Sequence, residues 1–198
     1  MIGDSITQGW EDEGQPIWQT FYASRRAANL GFNGDRTEHV VWRLEHGEVE
    51  GVAPRLAVVL IGTNDLASGR SVEDTARGIR SVVHALRMKL PCTTILLLAV
   101  FPRSASPSDP IRLSIRSVNR LIARYADGEH IFYLDLGDKF TDDQGYLRKD
   151  LMPDTIHLNR LGYQVWADSM EQTIEGLLHR QISQPAGSKA AGSICPVD

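Results

Sequence analysis

The sequence is poor in several features that would assign a protein to a class at once. Only two of its 198 residues are cysteines, Cys92 and Cys195, too few for the disulfide framework of a small secreted domain. No apolar run approaches the roughly 18 residues that a membrane span needs, so we expect no stable membrane insertion. With 21 Lys and Arg against 25 Asp and Glu, the formal charge is −4. That balance argues against a nucleic-acid partner.

Two further absences narrow the function. Neither a G-x-G-x-x-G motif nor a P-loop occurs, which disfavours a nucleotide-binding module. No signal peptide is visible either, so we expect a cytoplasmic protein. Met1 stands within a predicted strand, so the expected cytoplasmic location does not exclude a leader sequence before Met1.

What the sequence does contain is an alternation of apolar runs and amphipathic stretches. Continuous apolar runs, typical of covered parallel strands, occupy 56–61, 95–101 and 131–136, and shorter ones lie at 1–2 and 29–32. Helical spacing of apolar residues predicts helices over 16–28, 37–46, 71–90, 111–126 and 160–180. This order predicts one three-layer α/β/α domain over residues 1–180 with a parallel sheet of five strands. Residues 181–198 are rich in Ser, Ala, Gly and Pro, and we expect a flexible tail there.

A serine follows the first predicted strand directly, in the stretch Gly3-Asp4-Ser5. Open α/β sheets bind their ligands in the crevice outside the carboxyl ends of the strands, which is where this serine falls. A serine hydroxyl is a weak nucleophile alone, so a catalytic role needs a base and an oxyanion hole elsewhere. The alternative is that Asp4-Ser5 only caps the next helix, since both are ordinary capping residues.

Parallel topology brings two more polar turns to the same edge of the sheet. Gly34 follows the second predicted strand, and Asn64 follows the third. The backbone N–H groups of Ser5 and Gly34 and the side-chain amide of Asn64 could together stabilise an oxyanion. A glycine at 34 would let a substrate approach the backbone closely. Each turn also has a purely structural interpretation, as a tight turn at Gly34 and an Asx-turn at Asn64.

One of the six histidines, His157, lies after a long polar loop where the last helix is predicted to start. Asp154 precedes it by three residues, close enough to accept a hydrogen bond from the ring Nδ1–H. The ring Nε2 would then be free to act as a base. Asp154 as a helix N-cap is the alternative, and it is compatible with catalysis.

These residues stand in four blocks whose order resembles that of the SGNH (GDSL) hydrolases. The blocks are Gly3-Asp4-Ser5, Gly34 within 31–35, Gly62-Thr63-Asn64-Asp65, and Asp154-x-x-His157. The resemblance covers about residues 1 to 180. Three further stretches look most like the branch with the platelet-activating-factor acetylhydrolase catalytic subunits and their bacterial relatives: Asn29-Leu30-Gly31, Val41-Trp42-Arg43-Leu44 and Leu151-Met152-Pro153-Asp154.

The resemblance implies a flavodoxin-like sheet and ester hydrolysis without a metal or other cofactor. Ser5 would be the nucleophile, His157 the base and Asp154 the residue that orients it. Ser5, Gly34 and Asn64 would form the oxyanion hole. Two departures stand out: only Met1 and Ile2 precede the serine block as strand, and Thr155 replaces a glycine often found between the family's Asp and His.

We therefore expect a serine esterase that acts on short acyl groups, acetyl above all, because the short connections offer no large lid. Residues 66–70 and 101–110 are the predicted pocket walls. Within this class a carbohydrate O-acetylesterase and a lysophospholipid or platelet-activating-factor-like acylhydrolase both stay open, as does a homodimer. A non-catalytic α/β binding or interaction subunit is the alternative from another class.

Overall fold

A computed structural model describes residues 1–182, with side chains through residue 180, and shows the predicted α/β architecture. The strands are β1 (Ile2–Gly3), β2 (Leu30–Gly31), β3 (Leu56–Leu60), β4 (Thr94–Leu98) and β5 (Ile131–Leu134). They form one sheet in the order β2-β1-β3-β4-β5, with every neighbouring pair parallel. This is the strand order of the flavodoxin-like fold, so the predicted fold class is confirmed.

Seven α-helices occur within these residues. They are α1 (Ser5–Gln8), α2 (Gln15–Phe21), α3 (Thr37–Glu45), α4 (Thr63–Ala67), α5 (Val72–Lys89), α6 (Pro110–Ile122) and α7 (Arg160–Ile182). Short 3-10 turns lie at Gly9–Glu11, Ala23–Arg25, Ala123–Tyr125 and Gly137–Phe140. The helix α7 runs two residues into the segment predicted as a tail, and residues 183–198, with Cys195, lie outside the described residues.

Several predicted elements extend further than the corresponding elements in the structure. The helix expected over 16–28 ends at Phe21, and the 3-10 turn after it stops at Arg26, whose φ of 54° is left-handed. The apolar run 95–101 is buried throughout, yet β4 ends at Leu98, which pairs with Leu134 at the end of β5. The apolar run therefore indicates burial, whereas pairing with β5 sets the end of β4.

The helices cover both faces of the sheet, and alternate strand residues point to opposite faces. Val58, Leu60, Leu96 and Leu98 pack with buried residues of α2 and α7. Val59, Ile95 and Leu97 pack with buried residues of α3, α5 and α6. No helix among residues 1–182 is long and apolar enough to cross a membrane.

Close backbone packing holds the first turn after β1 against the sheet. A Cβ added at Gly3 would lie 2.1 Å from Thr7 Oγ1 and 2.4 Å from the carbonyl oxygen of Leu60. A Cβ at Gly31 would lie 2.3 Å from the backbone nitrogen of Gln8. The short helix α1, which begins with Ser5, is thus fixed between β1 and its neighbours by glycines that leave no room for a side chain.

Candidate active site

Ser5 is the first residue of α1, at the carboxyl end of β1. Asp4 caps this helix, because its Oδ1 accepts a hydrogen bond of 3.0 Å from the backbone N–H of Ile6. The capping interpretation of Asp4 is thus correct, and it leaves the Ser5 side chain available. Ser5 Oγ lies 2.9 Å from His157 Nε2, although 152 residues separate them in sequence. As the first helical residue, Ser5 also has a backbone N–H without an acceptor inside the helix.

The Asp154 carboxylate holds both the backbone and the ring of His157. Its Oδ1 accepts from the backbone N–H groups of Ile156 and His157, at 2.9 and 2.7 Å. Its Oδ2 lies 2.6 Å from His157 Nδ1. His157 was expected at the start of the last helix, but α7 begins only at Arg160, so Asp154 organises a turn before the helix. This turn is tight because Thr155 has a left-handed φ of 68°.

Electrostatics keeps the Asp154 carboxyl ionised. Burial alone would raise its pKa, but the hydrogen bonds from the His157 ring and from the two backbone N–H groups outweigh burial and lower it. An ionised carboxylate at Nδ1 favours the tautomer in which Nδ1 carries the proton. In that tautomer Nε2 can accept the Ser5 hydroxyl proton.

The predicted oxyanion donors follow three adjacent strands, β2, β1 and β3. Asn64 is the second residue of α4, and its Nδ2 donates a 2.9 Å hydrogen bond to the carbonyl oxygen of Asp35. Gly34 is exposed and has a φ of 77°, and a Cβ there would meet nothing within 4 Å among the described atoms. Its left-handed backbone, rather than crowding, therefore explains the glycine. Asn64 is thus bonded to the residue after Gly34, so these two donors belong to one connected unit.

Two charged residues beside the predicted triad have an environment that sequence reasoning missed. Asp4 is 1% exposed, and burial raises the pKa of its carboxyl to about 7, against the opposing effect of the Ile6 N–H bond. Arg103 donates through one terminal nitrogen to the carbonyl and hydroxyl oxygens of Thr63, at 3.3 and 3.2 Å. Burial lowers the Arg103 pKa, which attraction to Asp4 and Asp154 only partly offsets. Residues 40 apart in sequence leave no periodic signal, so no pattern could have paired Arg103 with Thr63.

The predicted pocket wall at 101–110 contacts the turn that carries His157. There the Ser104 N–H donates a hydrogen bond to the Thr155 carbonyl oxygen at 3.0 Å. Open cavities of about 500 and 680 Å³ lie elsewhere, and neither is lined by Ser5, Asp154 or His157. Across residues 1–182, no three His, Cys, Asp or Glu side chains are arranged to hold a metal ion.

The sequence is similar to known proteins over most of its length. The GDSL-like lipase/acylhydrolase family profile matches residues 1–165. The chain is 34% identical over 191 residues to human platelet-activating factor acetylhydrolase IB subunit alpha1, covering 96% of this chain and 79% of that protein. It is 31% identical over 179 residues to the alpha2 subunit from Rattus norvegicus, covering 90% and 76%.

The fold also matches solved structures. A GDSL-like lipase from Bacteroides thetaiotaomicron superposes with a TM-score of 0.74 at 22% identity, covering 88% of this chain and 86% of that one. At 22% identity this match shows a shared fold. The family profile and the curated relatives show membership of a protein family. The chain belongs to the GDSL-like lipase/acylhydrolase family, and the protein is an ester hydrolase.

Proposed function

We propose that the protein is a serine esterase that hydrolyses short-chain carboxylic esters, acetyl esters above all. The observation that carries the proposal is the hydrogen-bonded line from Ser5 Oγ through the His157 ring to Asp154 Oδ2, with distances of 2.9 and 2.6 Å. A hydroxyl, an imidazole and a carboxylate in this order are the groups that nucleophilic catalysis by serine requires.

In the first half-reaction, Ser5 Oγ attacks the ester carbonyl carbon while His157 Nε2 takes the hydroxyl proton. The backbone N–H groups of Ser5 and Gly34 and the Asn64 amide donate to the oxyanion that forms. Collapse of the tetrahedral intermediate breaks the bond to the alcohol, which leaves with the proton from His157. Asp154 stabilises the transient imidazolium and keeps the ring oriented.

In the second half-reaction, water replaces the alcohol. His157 takes a proton from this water, which attacks the acyl carbon on Ser5, and the oxyanion again accepts from the same donors. Collapse releases the carboxylic acid and returns the proton to Ser5 Oγ. No step requires a metal ion or other cofactor.

The preference for short acyl groups rests on two observations. The loops that join β1 to α1, β2 to α3 and β3 to α4 at the site are short, so they offer little surface to cover a long acyl chain. The curated relatives named above are acetylhydrolases by name. A platelet-activating-factor-like acetyl ester is therefore the second candidate for the natural substrate.

The proposal is tested with Ser5→Ala and a panel of p-nitrophenyl esters from acetate to long acyl chains. We expect Ser5→Ala to lower kcat by at least about 10³-fold, because it removes the nucleophile. Ser24→Ala, at an exposed serine, is the matched control and should retain wild-type kcat. In the wild type, kcat/KM should be highest for acetate and fall with chain length.

Retention of more than about a tenth of kcat by Ser5→Ala would refute the assignment of the nucleophile. A kcat/KM that rises toward long acyl chains would refute the preference for short ones.

A further inference from the structure

Two adjacent residues at the start of α4 reach across to the same segment of chain, the one that follows Gly34. Asn64 Nδ2 donates to the Asp35 carbonyl oxygen at 2.9 Å. Asp65 Oδ2 accepts from the Thr37 backbone N–H at 3.1 Å, and its Oδ1 accepts from the Thr37 hydroxyl at 2.6 Å. Residues 35 and 37 are thus both fastened to α4, although 28 or 29 residues separate each from its partner.

The Asp65 carboxylate is fully buried, with an exposed fraction of 0%. A third donor reaches it, Arg70, through a terminal nitrogen 3.0 Å from Oδ1. A buried carboxylate is costly unless its oxygens are paired, so these three donors are what allow Asp65 to lie there. Removing the charge would weaken these hydrogen bonds, because an amide has one accepting oxygen where the carboxylate has two.

Thr37, the donor in this contact, is also tightly packed. Thr37 is 1% exposed, and its hydroxyl oxygen would lie 2.1 Å from a Cβ added at Gly78 on α5. On the other side of the turn, Arg43 donates from Nε and a terminal nitrogen to Asp35 Oδ2, at 3.1 and 2.6 Å. The turn that contains Gly34 is therefore held from α3, α4 and α5 together.

From this arrangement we propose that Asp65 is a positioning residue, which couples the Gly34 N–H and the Asn64 amide into one rigid oxyanion hole. The inference rests on the proposed function, in which those two groups are donors. Asp65 is fully buried and contacts Thr37 and Arg70, so it acts on the substrate only through Gly34 and Asn64.

The physical consequence concerns the transition state. Oxyanion donors act on charge that develops during reaction, so a shift in their position should lower kcat with little effect on KM. A displacement of about 1 Å can cost up to roughly 10²-fold in rate. The affinity for a compound that mimics the tetrahedral state should fall in parallel.

The test uses four variants and a short alkylboronic acid, which forms a tetrahedral adduct with a nucleophilic serine. Asp65→Asn removes the charge at nearly constant shape, and Thr37→Val removes only the hydroxyl. Thr37→Ser keeps the hydroxyl and is the conservative control. Val82→Ala is the control for stability. Val82 is a core residue of α5 with 0% exposure, and its side chain makes none of these hydrogen bonds.

We expect Asp65→Asn to lower kcat by about tenfold or more and to raise the boronic acid Ki by a similar factor, with KM within about twofold. Thr37→Val should show a smaller change in the same direction, and Thr37→Ser should stay near the wild type. Val82→Ala should lower Tm while kcat and Ki are retained. If Asp65→Asn does not fold, the comparison of Thr37→Val with Thr37→Ser decides the question.

Wild-type kcat and Ki in Asp65→Asn or, where it does not fold, in Thr37→Val would overturn the inference. So would a change in KM alone. Failure of the proposed function looks different, because Ser5→Ala would then keep wild-type turnover whatever the other variants do.

Discussion

At the scale of single residues, Asp4 combines a structural role with an unfavourable environment. It caps α1 through the Ile6 N–H, yet it is 1% exposed and its carboxyl pKa is raised to about 7 by burial. A raised pKa means that folding favours the protonated carboxyl. Its contribution to stability is therefore complete below the unfolded pKa of about 3.8 and is lost as pH rises through about 7.

This sign leads to a prediction for Asp4→Asn, which keeps an acceptor for the Ile6 N–H but cannot ionise. The free energy of unfolding of Asp4→Asn, relative to the wild type, should rise by roughly 1 kcal/mol for each pH unit between about pH 4 and 7, then level off. Urea unfolding at several pH values measures it. Ser24→Ala, at an exposed position that does not titrate, is the control and should show no such trend. A relative stability that is constant or falls over this range would contradict the raised pKa.

Thr155 shows how one residue type departs from a family pattern without losing the local geometry. The resemblance implies a glycine at this position, and glycine would adopt the φ of 68° seen at Thr155 freely. Here the Ser104 N–H donates to the Thr155 carbonyl oxygen, and Asp154 accepts from the two following N–H groups. These hydrogen bonds hold the turn in a conformation that threonine alone would avoid.

At the scale of secondary-structure elements, two glycines should respond to alanine in opposite ways. Gly62 precedes α4 with a φ of 123°, and a Cβ there would lie 2.9 Å from Ile79 Cδ1. Gly62→Ala should therefore destabilise the protein by about 2 kcal/mol or more. Gly176 is an exposed interior residue of α7, and a Cβ added there would meet no described atom within 4 Å. Gly176→Ala should therefore stabilise the protein by about 0.5–1 kcal/mol.

Denaturant unfolding of both variants measures these changes in the free energy of unfolding. The two signs make the comparison informative, because a general effect of alanine would move both variants together. A stable Gly62→Ala variant with wild-type activity would show that the turn into α4 tolerates another backbone conformation.

At the scale of the whole molecule, one sheet contributes residues to two hydrophobic clusters, one on each face. Neighbouring residues of β3 and β4 belong to opposite faces, so the layer with α2 and α7 and the layer with α3, α5 and α6 share these strands. Loss of packing on one face removes support from the same strands that the other layer covers. The described residues should therefore unfold as a single cooperative unit.

Two core variants test this cooperativity, Val82→Ala on the α5 side and Met170→Ala on the α7 side, each at 0% exposure. Both should lower Tm, by an amount that follows the lost burial and the cavity left behind. Tryptophan fluorescence and far-UV circular dichroism should give one coincident transition in each variant. Separate transitions for the two probes would mean that the layers unfold independently.

Much of this architecture was predictable because its determinants are local. Apolar runs and helical spacing predict each long element from its own residues, and their alternation dictates a parallel sheet. A parallel sheet in turn brings the turns after β1, β2 and β3 to one edge, so Ser5, Gly34 and Asn64 could be grouped from the sequence alone. Their catalytic roles stay predictions, and Ser5→Ala tests the role of the nucleophile directly.

Other features were decided only by the tertiary structure. The helices α1 and α4 have four and five residues, too few for a periodic pattern, and β4 ends where β5 ceases to pair with it. The burial of Asp4, the hydrogen bond from Arg103 to Thr63 and those from Thr37 to Asp65 all depend on distant parts of the chain. The physical reason is the same throughout: periodicity records which face of an element is buried, whereas desolvation and hydrogen-bond partners depend on which distant residues the closed fold places beside it.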